Sequence, residues 1–168
     1  MRDLRLLASL VVVLLAISCQ QKRVDEPPRY YVNDQVNLLT PSQRDSLTAE
    51  IVELEKNIGS QMVILIIDSL RGVKIEEYSL RLANEWGIGR SAYNDGVLIT
   101  VAMTDRKTRI EVGTGLELII KDEIAARILR EDMAPQFREG RYFEGLYVTV
   151  SKLKALITEN QHLIGKTP

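Results

Sequence analysis

The chain has 168 residues, of which 45% are hydrophobic and 27% charged, with a formal net charge of −1. That is the profile of one ordinary globular domain with an appendage. With aromatics at only 5% and no basic stripe, the composition excludes nucleic acid as a partner.

Residues 1–18 read as a lipoprotein signal peptide, not as part of the fold. Arg2 and Arg5 give a positive start, and Leu6–Ile17 is an apolar run too short to span a bilayer comfortably. Ser18 then precedes Cys19, the only cysteine in the chain. Ala16 stands where such signals usually carry Leu, with Leu15 one place further back. Cys19 is therefore the expected lipid (palmitate-type) attachment point. This places the domain in a bacterial cell envelope, in the periplasm or otherwise outside the cytoplasm, held to a membrane by its lipid. It leaves no thiol for a disulfide, so the core alone must hold the domain. Residues 19–28 are polar, end in Pro27-Pro28, and form a tether. The domain is expected over 29–160, with 161–168 as a tail.

Tyr30–Val32 reads as a short extended segment, and Asn33-Asp34 as a turn. Thr40-Pro41-Ser42-Gln43 is a helix start: a capping threonine, proline at the first helical position, and glutamine to complete a capping box. Leu47, Ile51, Leu54 and Ile58 then make one apolar stripe that Gly59 ends. Gln61–Ile67 is almost wholly apolar, which predicts a strand covered on both faces. Ile75, Tyr78, Leu82 and Trp86 stripe a second helix, ended by Gly87-Ile88-Gly89. Asn94-Asp95-Gly96 is a turn, and Val97–Ala102 a second buried strand. Ile64, Ile66, Ile99 and Val101 are thus expected in the core. Met103–Arg106 turns the chain, and Lys107–Val112 alternates as a half-buried strand. Lys121–Met133 reads as a third helix ended by Pro135. Leu146, Val150, Leu153 and Ile157 stripe the last helix.

Buried strands flanked by amphipathic helices predict an α/β fold. The expected form is a compact α/β sandwich, a small central β-sheet with helices on both faces. Gln61–Ala102 supplies a strand–helix–strand crossover, expected to be right-handed.

Several pieces, in order and spacing, resemble the TPM domain family, often labelled TPM phosphatase. They are Val32-Asn33-Asp34 with Leu38-Leu39, Trp86-Gly87-Ile88-Gly89, and Asn94-Asp95-Gly96-Val97-Leu98. Asp105-Arg106-Lys107, Arg109–Gly113, Gly115-Leu116-Glu117 and Asp122 continue the match. Pro135, Phe137-Arg138, Tyr142 and Gly145-Leu146 complete it. The resemblance implies an exported or membrane-attached α/β sandwich. Some members of the family are linked to acid phosphatase activity and some to divalent-cation binding.

The residue inventory narrows the chemistry. The sole histidine, His162, reads as a solvated residue on the last turn of the chain. Cysteine phosphatase and Cys/His zinc chemistry have no residues to use, and there is no glycine-rich phosphate loop. Carboxylates in turns beside glycines remain, and hard cations take oxygen ligands. Asp34, Asp95, Glu117 and Asp122 are the expected metal ligands, for Ca²⁺ first and Mg²⁺ second. The argument is that the start and exit of an antiparallel hairpin lie at one end. The alternative for Asp34 and Asp95 is turn-making, and for Asp122 helix-end charge. Arg106, Lys107 and Arg109 are either an anion site or, in preference, the solvated face of an edge strand. Three functional readings stay open. One is a cation-binding envelope module that supports membrane-protein assemblies. The others are a metal-dependent acid phosphatase and a structural lipoprotein without ligand.

Overall fold

The structure, a computed structural model, describes residues 31–166. The signal segment, Cys19 and the tether lie outside the described residues.

Four strands make one sheet: β1 (Val32–Asp34), β2 (Gln61–Ile67), β3 (Gly96–Ala102) and β4 (Lys107–Val112). They lie in the order β1-β2-β3-β4, with β1, β2 and β3 parallel and β4 antiparallel to β3. The first strand corrects the expected turn at Asn33-Asp34. Three residues with one buried side chain, Val32, are too short to print an alternating pattern.

The helices are α1 (Pro41–Ile58), α2 (Ile75–Glu85), α3 (Asp122–Ile128), α4 (Ala134–Arg138) and α5 (Tyr142–Glu159). The predicted capping box is formed. The Gln43 amide donates to Thr40 Oγ1, and the Thr40 amide donates to Gln43 Oε1. Gly59 ends α1 at φ +92, a conformation that glycine takes without a Cβ penalty.

Strand parity builds two cores. Met62, Ile64, Ile66, Val97, Ile99 and Val101 face α1, α3 and α5, meeting Leu47, Ile51, Leu146, Val150 and Leu153. Val63, Leu65, Ile67, Leu98 and Ala102 face α2 through Ile75, Tyr78 and Leu82. All four residues expected at the sheet core are buried. α1 and α2 therefore cover opposite faces, although both crossovers step the same way across the sheet. Two such crossovers must have opposite hands, so one of them departs from the right-handed rule.

Pro135 does not end a helix. A π-type stretch, Leu129–Met133, follows α3 directly, and α4 continues from it with Pro135 in its first turn. The wider π turn resets the hydrogen-bond ladder, so proline falls where its missing N–H is not needed. The chain turns only at Gly140, φ +73.

α5 is tied back to α1 by Lys154, whose Nζ lies 2.9 Å from Glu50 and 2.7 Å from Glu53. The bond from Lys154 holds the Glu50 carboxyl below its ordinary pKa. This tie therefore contributes above the unfolded carboxyl's pKa and is lost as pH falls through the folded one.

Candidate functional site

The two ends of the sheet carry different chemistry. At the end where β3 starts, Asp95 is fully buried. Its Oδ1 accepts from the Arg90 backbone N–H at 2.8 Å. Its Oδ2 accepts from Arg90 Nε at 2.9 Å, from Arg90 Nη2 at 2.6 Å and from Ser60 Oγ at 3.0 Å. Arg90 also lies over the Tyr93 ring, 4.2 Å from its centroid. The Gly89 N–H donates to Gln61 Oε1 at 2.8 Å. Asp95 thus clamps the loop between α2 and β3 onto the start of the sheet.

The glycines here serve backbone contact. A Cβ on Gly96 would run into the Ile88 carbonyl, one on Gly113 into the Asn94 carbonyl, and one on Gly115 into the Tyr93 carbonyl. Gly113 N donates to Gly96 O at 2.8 Å, and Gly115 N to Asn94 O at 3.0 Å. The start and exit of the hairpin therefore do meet, as expected. What converges there is main chain, with the Asp95 carboxylate turned inward.

The other expected ligands are spread out. Asp34 pairs in register with Ile66, whereas Gly96 pairs with Gln61. Asp34 is therefore five residues along β2 from the Asp95 end, about 16 Å away. There its Oδ1 and Oδ2 accept from the amides of Leu38 and Leu39, at 3.0 and 2.9 Å. Glu117, after the short 3-10 turn Thr114–Leu116, and Asp122, the first residue of α3, are both exposed. Among the described residues no group of three or more His, Cys, Asp or Glu side chains is placed to hold a metal ion.

The opposite end, beyond the carboxyl ends of the parallel strands, is where open α/β sheets commonly bind ligands. A cleft of about 640 Å³ opens there, between the β3–β4 turn and α4 with the start of α5. That size suits a small ligand. Val101, Ala102, Met103 and Ala134 are the apolar part of its lining. Phe137 and Tyr142 form one wall, edge to face, with centroids 5.2 Å apart. Arg106, Lys107 and Arg138 line it with exposed side chains. Among the described residues, none of these three is in an ion pair.

The fold braces this cleft from behind. Thr104 Oγ1 donates to Asp68 Oδ1 at 2.8 Å, and the Leu70 amide donates to Asp105 Oδ2 at 2.8 Å. The Leu70 bond, first among several contacts, holds the Asp105 carboxyl below its usual range. The β3–β4 turn is thereby fixed with Arg106 in a left-handed conformation, φ +53. On the far side the Phe137 ring lies on Gly145, where a Cβ would stand 2.7 Å from it.

The preferred expectation for Arg106, Lys107 and Arg109, a solvated edge face, treats the three as one run. The structure separates them. Arg109 pairs with Glu111 at 2.8 Å, while Arg106 and Lys107 reach the cleft. Arg138, Phe137 and Tyr142 join them from some thirty residues further on. That partnership carries no local periodicity.

The TPM domain profile matches residues 32–156. The chain belongs to the TPM domain family. Solved structures agree on the fold. The N-terminal domain of a P. gingivalis protein is 27% identical with a TM-score of 0.73, over 79% of this chain and 84% of that one. A protein from the psychrophile Bizionia argentinensis is 18% identical with a TM-score of 0.64, over 75% and 86%. The N-terminal domain of a Corynebacterium glutamicum protein is 12% identical with a TM-score of 0.61, over 76% and 79%. No curated protein matches the chain. In this TPM domain the matching motifs divide in two. The Trp86–Gly89, Asn94–Gly96 and Gly113–Gly115 pieces lock one end of the sheet. The Asp105–Lys107 and Pro135–Tyr142 pieces build the cleft at the other.

Proposed function

We propose that this TPM domain is a lipid-tethered envelope module that binds an anionic group of its ligand in the cleft. The observation that carries this is the convergence of Arg106, Lys107 and Arg138 on one cleft of mixed polar and apolar lining. Exposed cations lining it attract an anion and orient it, while the apolar lining residues take up the apolar part. Among the described residues the lining supplies the hydroxyls of Thr108 and Tyr142 and no carboxylate. Its own groups therefore suit binding, and a hydrolytic base would have to come from elsewhere.

Benzoate is a suitable probe because it joins one carboxylate to an apolar ring. In an NMR titration it should shift the amides of 103–108, 134 and 136–142. Arg138→Gln should weaken it roughly tenfold, the loss of one charge-assisted contact. Shifts confined to other regions would remove the cleft from consideration. Release of phenol from an aryl phosphate in the same cleft would favour the acid-phosphatase reading instead.

Anchoring is a separate part of the proposal. No helix among the described residues is long and apolar enough to cross a membrane. The expected attachment is the lipid on Cys19. The wild-type chain should partition into detergent, and Cys19→Ala should move to the aqueous phase. Equal partitioning of the two, with the same N-terminal mass, would remove the lipid anchor.

A further inference from the structure

Among the described residues β4 is the last strand of the sheet, and one of its edges has no neighbouring strand there. The register fixes which groups face that edge. Gly113 N bonds to Gly96 O, and antiparallel partners exchange hydrogen bonds at every second position. Lys107, Arg109 and Glu111, opposite Ala102, Thr100 and Leu98, therefore direct their backbone groups to β3. Thr108, Ile110 and Val112 direct theirs outward. Among the described residues nothing bonds to those outward groups. Three donors and three acceptors along this edge thus have no partner among the described residues, the arrangement that an added strand completes.

The edge and the cleft are continuous, because Lys107 and Thr108 line the cleft and begin β4. A segment laid antiparallel to β4 would run from Val112 toward Lys107. Its C-terminus would arrive at Arg106, Lys107 and Arg138. A terminal carboxylate meets three cations there, and an apolar last side chain meets Met103, Ala134 and Phe137. Charge complementarity selects this orientation, since the opposite one would bring a terminal ammonium to the same cations. Even with Lys107 partly offset by the neighbouring Asp105, the cations outnumber one carboxylate, which favours a tail with an acidic residue beside its end.

We propose that β4 and the cleft together dock the C-terminal segment of a partner polypeptide as an added strand, ending in a free carboxylate and an apolar residue. Main-chain bonds along the edge would give affinity, and the cleft would read the terminus. This rests on the reading that the cleft takes an anion. It adds the ligand's class, direction and second contact surface.

The test uses the full chain in detergent micelles. The probes are acetylated hexapeptides of alternating Thr and Val ending in Asp-Leu. They are prepared as the free acid, as the C-terminal amide, and as the free acid N-methylated at alternate residues. The free acid should bind at least ten times tighter than the amide and slow hydrogen exchange at Thr108, Ile110 and Val112. Arg138→Gln should erase the difference between acid and amide. N-methylation of the residues that face β4 should abolish binding, and methylation of the others should not. Equal binding of acid and amide, or indifference to both methylation patterns, overturns the proposal. Benzoate in the cleft without peptide binding would overturn strand docking and leave the anion reading standing. Failure of both probes would overturn both. Binding of phosphatidylglycerol vesicles through Arg138, with no peptide binding, would assign the cationic face to lipid and overturn the docking proposal.

Discussion

Asp95→Ala should cost the domain about 3 kcal/mol of folding stability. The wild-type carboxylate has no access to water and accepts four hydrogen bonds, three of them from Arg90 and one from Ser60. Removing it leaves the Arg90 backbone N–H and the buried Ser60 hydroxyl without an acceptor. Each such orphan costs about 1–3 kcal/mol. The Arg90 side chain is 37% exposed, so its charge can be rehydrated in part. That keeps the loss toward the lower end of the range for a broken buried pair. Asp95→Asn should be milder, because it keeps the shape and loses the charge. Urea denaturation of the three proteins measures both effects. The loss should be the same with calcium and without it, since Arg90 and Ser60 already occupy both oxygens. A loss that appears only when calcium is present would return Asp95 to the role of a metal ligand.

The sequence made the core legible because burial there has a period. The α1 stripe, the two apolar runs and the α5 stripe each carry a repeat that only one local structure satisfies. Thr40, Pro41 and Gln43 marked a helix start because capping uses residue types at fixed offsets, and the box is formed. β1 was legible only at Val32, the end of the expected extended segment, since three residues at the edge of a sheet take their conformation from β2. Pro135 misled because a break in the α-type ladder was expected to be the end of the helix. A π stretch absorbed the break instead.

The candidate sites were harder for a related reason. Asp95 beside Gly96 gives the same local pattern whether it binds a cation, makes a turn or answers an arginine. Only Arg90, five residues earlier, and Ser60, thirty-five residues earlier, decide between them. The register of β1 on β2 sets Asp34 apart from Asp95, and register is not written in either turn. The cleft joins Arg106 and Lys107 to Arg138 across α3 and the π stretch. Its signal in the sequence was the pairing of two motifs, one basic and one basic-aromatic, that have no common period.

Gly115→Ala should be as damaging as the loss of the Asp95 clamp, through sterics alone. Gly115 is buried, its amide donates to Asn94 O, and its carbonyl accepts from Gly165 N at 2.9 Å. An added methyl would overlap the Tyr93 carbonyl oxygen. A side chain in the way could rotate aside, but Tyr93 and Asn94 are main chain, fixed on one side by Arg90 and Asp95 and on the other by β3. Relief therefore requires the exit of β4 to move away from the start of β3. That separation would strain the Gly113–Gly96 bond and open the core beneath Leu116, which is fully buried. Overpacking of this kind costs about 3 kcal/mol. Gly140→Ala is the control. Its φ is +73, and a Cβ there meets nothing within 4 Å. It should show only the cost of left-handed backbone, about 1–2 kcal/mol. Urea midpoints for the two variants measure the contrast. If Gly115→Ala unfolds no more easily than Gly140→Ala, the two loops are not in backbone contact, and their glycines must be explained by something other than this packing.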